Sequence, residues 1–178
     1  MSQEIEDAME RAMKAQQERR LADARSAWAT VVEFERKHDS KSHLARALRL
    51  LGEVERKLHD GSAARLHYEE AVSVYRQLSD PRALAHTIRH LGDVYHDSGL
   101  SEMALPCYRE ALEIYRALPE VSPLDLANAI RSMAVLKGEL RERDEARALW
   151  EEARGLYTSA GVQAGVEESN RRLARLAG

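Results

Sequence analysis

The sequence predicts an all-α chain arranged as a solenoid of helical hairpins, and three observations carry that prediction. Charged residues make up 32% of the 178 residues and aromatic residues only 5%, a mixture that favours partly exposed helices over a β or α/β core. Apolar residues recur at helical spacing: Leu84, Ile88, Leu91 and Tyr95 form one stripe, and Leu105, Tyr108, Ala111, Leu112 and Tyr115 form another. Superposing the chain on itself at shifts of 40 to 42 residues brings several columns into register. Ala24, Ala64, Ala104 and Ala146 align, each followed four residues later by Trp28, Tyr68, Tyr108 or Trp150. Tyr75, Tyr115 and Tyr157 make a third column, and Val31, Ala71, Ala111 and Ala153 a fourth. Gly52 and Gly92 align with Ala12, Ala134 and Ala174. Small residues lie where two antiparallel helices cross, and a large ring fills the space beside them.

In chain order, the first hairpin is expected over 5–37 with its turn near Arg19-Arg20. Ala8, Ala12 and Ala15 stand where larger residues would hold its first helix, so that helix is expected to fray and act partly as a cap. The second spans 41–78 around a turn at Asp60-Gly61. Ser79-Asp80-Pro81 then supplies a cap residue and a proline at a helix start. The third runs over 81–118, turns at Ser98-Gly99, and has Ser101 as the expected cap of its second helix. Pro106 removes one backbone hydrogen bond early in that helix, which predicts a slight bend. The fourth covers 123–160, turning near Arg141 and stopped by Gly161. A solitary helix over 163–177, with Val166, Leu173 and Leu176 in its stripe, is expected to cover the last apolar face. The nine glycines are read as sitting singly at turns, crossings or ends.

Ile88, Leu91, Gly92, Tyr95, Gly99, Ala104, Tyr108, Ala111 and Pro119 together resemble the tetratricopeptide repeat pattern. The resemblance covers residues 5 to 177 and is strongest in the third repeat. The family period is commonly 34 residues; the longer period here, and Pro106 in A-L-P-C-Y-R-E-A-L-E-I, resemble kinesin light chains and related bacterial repeat proteins. Met133-Ala134 in place of Leu-Gly and Lys137 in place of tyrosine depart from the pattern. The resemblance implies a right-handed α-solenoid of about four hairpins with a C-terminal capping helix, as one domain over 1–178. It also implies that first helices line a concave groove, and that the chain is a non-catalytic adaptor binding a peptide segment there.

Carried onto this sequence, the family's groove positions fall on Arg49, Arg89, Arg131 and Arg171, spaced by 40, 42 and 40 residues. Arg46, Arg56, Lys57, His86 and His90 lie on adjacent positions. A ladder of guanidinium forks suits an acidic segment or a C-terminal carboxylate, because each fork donates two parallel hydrogen bonds. The rival reading pairs these arginines with Glu53, Asp93 and Glu139, so that they only solvate the groove. The histidines are expected to assist in binding acidic groups below a pKa near 6.5.

Other chemistries are poorly served. The net charge of -3 gives no general attraction to nucleic acid or an anionic membrane, which also weakens an RNA-binding reading of the helical repeats. A single cysteine, Cys107, excludes an internal disulfide and a multi-cysteine zinc cluster, and no histidine is placed to activate it. His86, His90 and Asp93 fall one turn apart on one helix, yet no H-E-x-x-H sequence accompanies them; no metal or cofactor is expected. The N-terminal residues lack the basic and apolar regions of a signal peptide, and no run of about 18 apolar residues exists. A cytoplasmic protein is the simplest expectation. Self-association through the terminal helix or the first repeat is allowed. The alternative function is a regulatory module whose pitch responds to a small acidic ligand or signalling peptide.

Overall fold

Short, capped helical segments separated by single breaks dictate an up-and-down path. In the computed structural model, which describes residues 3–38 and 40–177, the chain follows that path through nine helices. They are α1 (Gln3–Gln17), α2 (Leu21–His38), α3 (Lys41–Lys57), α4 (Gly61–Tyr75), α5 (Pro81–Asp97), α6 (Ser101–Ala117), α7 (Pro123–Glu139), α8 (Arg143–Ser159) and α9 (Gln163–Ala177). Each helix packs on the next, and the backbones of α3 and α5, and of α5 and α7, also approach one another. That approach puts the odd-numbered helices on the inner side of the curve.

The small and large columns form the core. Ala24, Ala64, Ala104 and Ala146 are fully buried, and Trp28, Tyr68, Tyr108 and Trp150 cover them with at most 2% of their surface exposed. The crossing positions are tight. A Cβ on Gly92 would stand 2.7 Å from the Tyr108 ring, and one on Gly52 3.2 Å from the Tyr68 ring. Ala174 aligns with these glycines but is exposed, with no helix of the described residues crossing α9 there. Gly165 instead brings α9 onto Tyr157, whose ring would meet a Cβ at 2.4 Å.

All four hairpin turns close in the same way. The last helical carbonyls of α1, α3, α5 and α7 accept from residues beyond the helix, including Arg20 to Ala15, Asp60 to Glu55, Leu100 to Tyr95 and Glu142 to Lys137. The pivot has a left-handed φ: 59° at Arg19, 61° at His59, 75° at Gly99 and 62° at Arg141. Three of the four pivots are therefore not glycine. The second turn pivots on His59, and Gly61 is the first residue of α4.

Asp80 caps α5 by accepting from Ala83 N at 2.9 Å, followed by Pro81. Ser101 does not cap α6; it is the first helical residue, and the preceding Leu100 has no side-chain acceptor to offer. Helix α1 is complete, with Ile5, Ala8, Ala12 and Ala15 buried under α2. Trp28 holds it further by donating from Nε1 to Gln16 at 2.7 Å. Gly155 lies at none of the expected places for a glycine: it is in the middle of α8 and faces open space.

On the outer side, an ion-pair ladder unforeseen in the sequence joins successive even-numbered helices. Arg36 meets Glu70 at 2.6 Å, Arg76 meets Glu110 at 2.9 Å and Arg116 meets Glu152 at 2.8 Å. Each pair is exposed and contributes roughly 0.2–1 kcal/mol, linking one hairpin to the next.

Candidate functional site: two hollows along the inner face

The inner face carries two adjoining hollows, and the candidate residues divide between them. The first, of about 310 Å³, is lined by Arg56 of α3, Arg89, Asp93, His96 and Asp97 of α5, Tyr108 of α6, Asn128, Arg131, Ser132 and Val135 of α7, and Arg172 of α9. The second, of about 330 Å³, is lined by Arg46 and Arg49 of α3, Tyr75 of α4, Asp80, Arg82, Ala83 and His86 of α5, with Asp125 of α7. Arg171 lines neither and is exposed on α9. Arg172, the next residue, lines the first hollow instead. Lys57 is spent on Glu53 at 2.6 Å.

In the first hollow the arginines are already paired. Asp93 is the hub: it accepts from Arg89 at 3.0 Å, from the Tyr108 hydroxyl at 3.0 Å and from Ser132 at 3.0 Å. Arg89 and Asp93 are only 11% and 15% exposed. Burial pushes the Asp93 carboxyl up, but its contacts with His90, Arg89 and Arg56 outweigh that and bring it down to about 2. Arg56 meets Asp97 at 3.1 Å. Arg131 grips Glu168 of α9 with two hydrogen bonds, at 2.7 and 2.9 Å. Glu139 pairs with His96, not with an arginine. Asn128 accepts the Tyr157 hydroxyl at 2.9 Å through Oδ1. The Asn128 amide NH₂ is thereby left to donate into the hollow.

The second hollow is different. Among the described residues, neither Arg46 nor Arg49 forms an ion pair; Arg49 lies beside the Tyr75 hydroxyl. Glu53, the residue expected to neutralise Arg49, is drawn to Lys57. Arg82 is held by the Glu120 carbonyl at 3.0 Å.

The histidines do not act as the sequence suggested. Burial, with the His90 ring and the Arg89 and Arg49 charges beside it, pushes His86 down to about 3. Burial also lowers His90, whose Nε2 is 2.8 Å from Arg89 Nη2. Arginine can only donate, so Nε2 accepts and His90 is neutral, with its proton on Nδ1, 3.3 Å from Asp93. That approach is too poorly aligned to count as a hydrogen bond, and Nδ1 is left unsatisfied. His90 packs behind the hollows, stacked on Tyr68 and edge-on to His86. Both rings therefore stay uncharged near neutral pH and supply no acid-binding charge. Among the described residues no three His, Cys, Asp or Glu side chains converge as a metal ion requires. Burial raises the Cys107 thiol to about 11, so it stays protonated.

Sequence reasoning missed Asn128, Ser132, Arg82 and Arg172. Asn128 had a signal, since it aligns with His86 and Arg46 at the same repeat position. No helix among the described residues is long and apolar enough to cross a membrane.

The tetratricopeptide repeat family model matches residues 43–117 and 80–159. The crystal structure of BtubC (BKLC) from P. vanneervenii superposes with a TM-score of 0.61 at 16% identity, over 98% of this chain and 91% of that one. Aspartyl phosphate phosphatase F from Bacillus subtilis superposes with a TM-score of 0.84 at 16% identity, over 96% of this chain. This chain spans 45% of that protein's length. At such identities both likenesses concern the fold. No curated protein matches the sequence.

Proposed function

The chain belongs to the tetratricopeptide repeat family, whose members are generally interaction modules, and from that premise we propose that it is a non-catalytic scaffold that holds an acidic segment of another protein along its inner face. The observation that carries this reading is the pair Arg46 and Arg49, two guanidinium groups on an open hollow that form no ion pair among the described residues, although Asp80 and Asp125 line the same hollow. An acidic side chain or a C-terminal carboxylate is the natural complement to such forks. Asn128 supports the same reading from the first hollow, because its oriented amide suits a peptide carbonyl.

Fluorescence anisotropy with a labelled pool of Asp- and Glu-rich heptapeptides tests it. The parent is expected to bind, more weakly as salt rises, and Arg46→Glu with Arg49→Glu to bind at least about tenfold more weakly, the loss of one or two charge-assisted contacts. Equal binding of a neutral pool would remove acidity from the proposal.

A second reading is favoured by Arg131 and Glu168, whose ion pair ties α7 to the terminal helix α9. An acidic ligand competing for Arg131 would release α9, making the chain a ligand-responsive regulatory module. Solution scattering with and without bound peptide separates the two: a rigid scaffold keeps its dimensions.

A further inference from the structure

We propose that the outer groove between α6 and α8 binds a C-terminal aromatic residue of a partner protein, its ring entering the groove and its carboxylate meeting Arg109. The groove recurs between successive even-numbered helices, and one residue of the intervening odd helix decides what fills it: Glu55, Tyr95 or Lys137, at the same repeat position. Between α2 and α4, Glu55 is buried and hydrogen-bonded to His67 at 2.6 Å. Between α4 and α6, Tyr95 is 8% exposed and its hydroxyl donates to Glu69 at 2.8 Å. There the chain plugs its own groove with an aromatic ring.

Between α6 and α8 the plug is missing. Lys137 has no ring, and its ammonium is drawn to Glu142 and Glu145. What remains is a hollow of about 420 Å³ floored by Leu105, Leu112, Met133 and Leu149. Apolar walls where the sibling groove holds a tyrosine call for a ring. The polar end of the ring's owner is set by a charge reversal at the rim. Arg109 stands 40 residues after Glu69, the acceptor of the Tyr95 hydroxyl. Among the described residues Arg109 forms no ion pair or hydrogen bond and feels Glu145 only at longer range. The other rim cations are occupied, Arg116 by Glu152 and Lys137 as described. Glu113 on the same rim repels a second acidic group, so the complement is one ring with one carboxylate. A C-terminal phenylalanine or tyrosine carries both on a single residue. This site lies on the opposite face from the arginine hollows and stands or falls independently of them.

The test uses the full chain with methyl-labelled methionines and N-acetyl-L-phenylalanine as probe, followed by NMR. Met133 lies in the floor, whereas Met9 and Met13 are on α1 and Met103, though on α6, does not line the hollow, so the expected result is a saturable shift of the Met133 methyl alone. The amide, N-acetyl-L-phenylalaninamide, and the Arg109→Gln variant are each expected to weaken binding at least about fivefold, the range of a charge-assisted hydrogen bond. Lys137→Tyr restores the plug and is expected to abolish the shift. A Met133 methyl that does not respond, equal binding of acid and amide, or undiminished binding by Lys137→Tyr overturns the assignment. Arg109 is exposed, so its variant keeps the test decisive if Lys137→Tyr folds poorly.

Discussion

Hairpins two and three both place an arginine and, four residues on, a carboxylate on the inner face, 40 residues apart, and the length of that carboxylate together with the residue one turn beyond it separates their behaviour. In hairpin three the carboxylate is Asp93, short enough to stay at the crossing, where Tyr108, Ser132 and Arg89 all donate to it. In hairpin two it is Glu53, and the residue one turn on is Lys57 where hairpin three has Asp97. Glu53 turns to Lys57, the Tyr68 hydroxyl is buried without a partner among the described residues, and Arg49 is left facing the groove. One hairpin spends its arginine on its own structure; the other presents it. A repeat array can thus keep its shape while assigning different work to the same column.

Acid is expected to divide the two hairpins most sharply. His86 has Arg46 as its counterpart in hairpin two, and His90 has Leu50. The folded-state value of His86, about 3, lies below its ordinary 6.5. Its contribution to stability is therefore complete above pH 6.5 and is lost as pH falls toward 3, an effect on the order of 3–5 kcal/mol. Asp93, lowered to about 2 from 3.8, adds a further loss below pH 4, also by favouring the unfolded state as protons bind. Urea midpoints measured across pH should show this slope, and His86→Gln should flatten the part between pH 6.5 and 3. An unchanged slope would show that the ring is not the titrating group.

Next in size is the hub itself. Asp93→Ala leaves Arg89 buried beside an unpaired Tyr108 hydroxyl and is expected to cost about 3 kcal/mol. Glu53→Ala, removing a more exposed partner, is expected to cost no more than about 1 kcal/mol. Similar denaturant midpoints for the two variants would abolish the contrast.

The crossings offer a smaller one. Gly92→Ala drives a methyl to 2.7 Å from the Tyr108 ring, against 3.2 Å from Tyr68 for Gly52→Ala. We expect about 2 kcal/mol of destabilisation at Gly92 and close to zero at Gly52, where the alanine's helix propensity of about 1 kcal/mol offsets a mild contact. Thermal melts in which both variants lose stability equally would place the two crossings at the same spacing.

The finest test removes the hydroxyls. Tyr108→Phe loses a satisfied hydrogen bond to Asp93 and is expected to cost about 1 kcal/mol, whereas Tyr68→Phe removes a buried group that has no partner and should be neutral or slightly stabilising. The reverse order in calorimetry would mean that Tyr68, not Tyr108, is the bonded member.

The hairpin solenoid was legible in the sequence because its determinants are local and periodic. Ala104 with Tyr108, Gly92 at the crossing and Asp80 before Pro81 each act within one helix or across one turn, and a shift of 40 to 42 residues exposes them. Only one left-handed pivot was legible as such: Gly99 announces itself, but Arg19, His59 and Arg141 adopt the same φ because closing the helix end outweighs their steric cost. The grouping of arginines on odd helices could also be read, as a column. Which of them is free could not, because long side chains choose partners from other hairpins, as Arg131 does with Glu168 and His96 with Glu139. The neutrality of His86, the presence of Arg172 rather than Arg171 in the hollow, and the groove left open by Lys137 are likewise decided by burial and close approach. Sequence by itself determined the elements and the surfaces they bury; tertiary structure decided the charges, because a charge answers to everything within a few ångströms, wherever along the chain it arises.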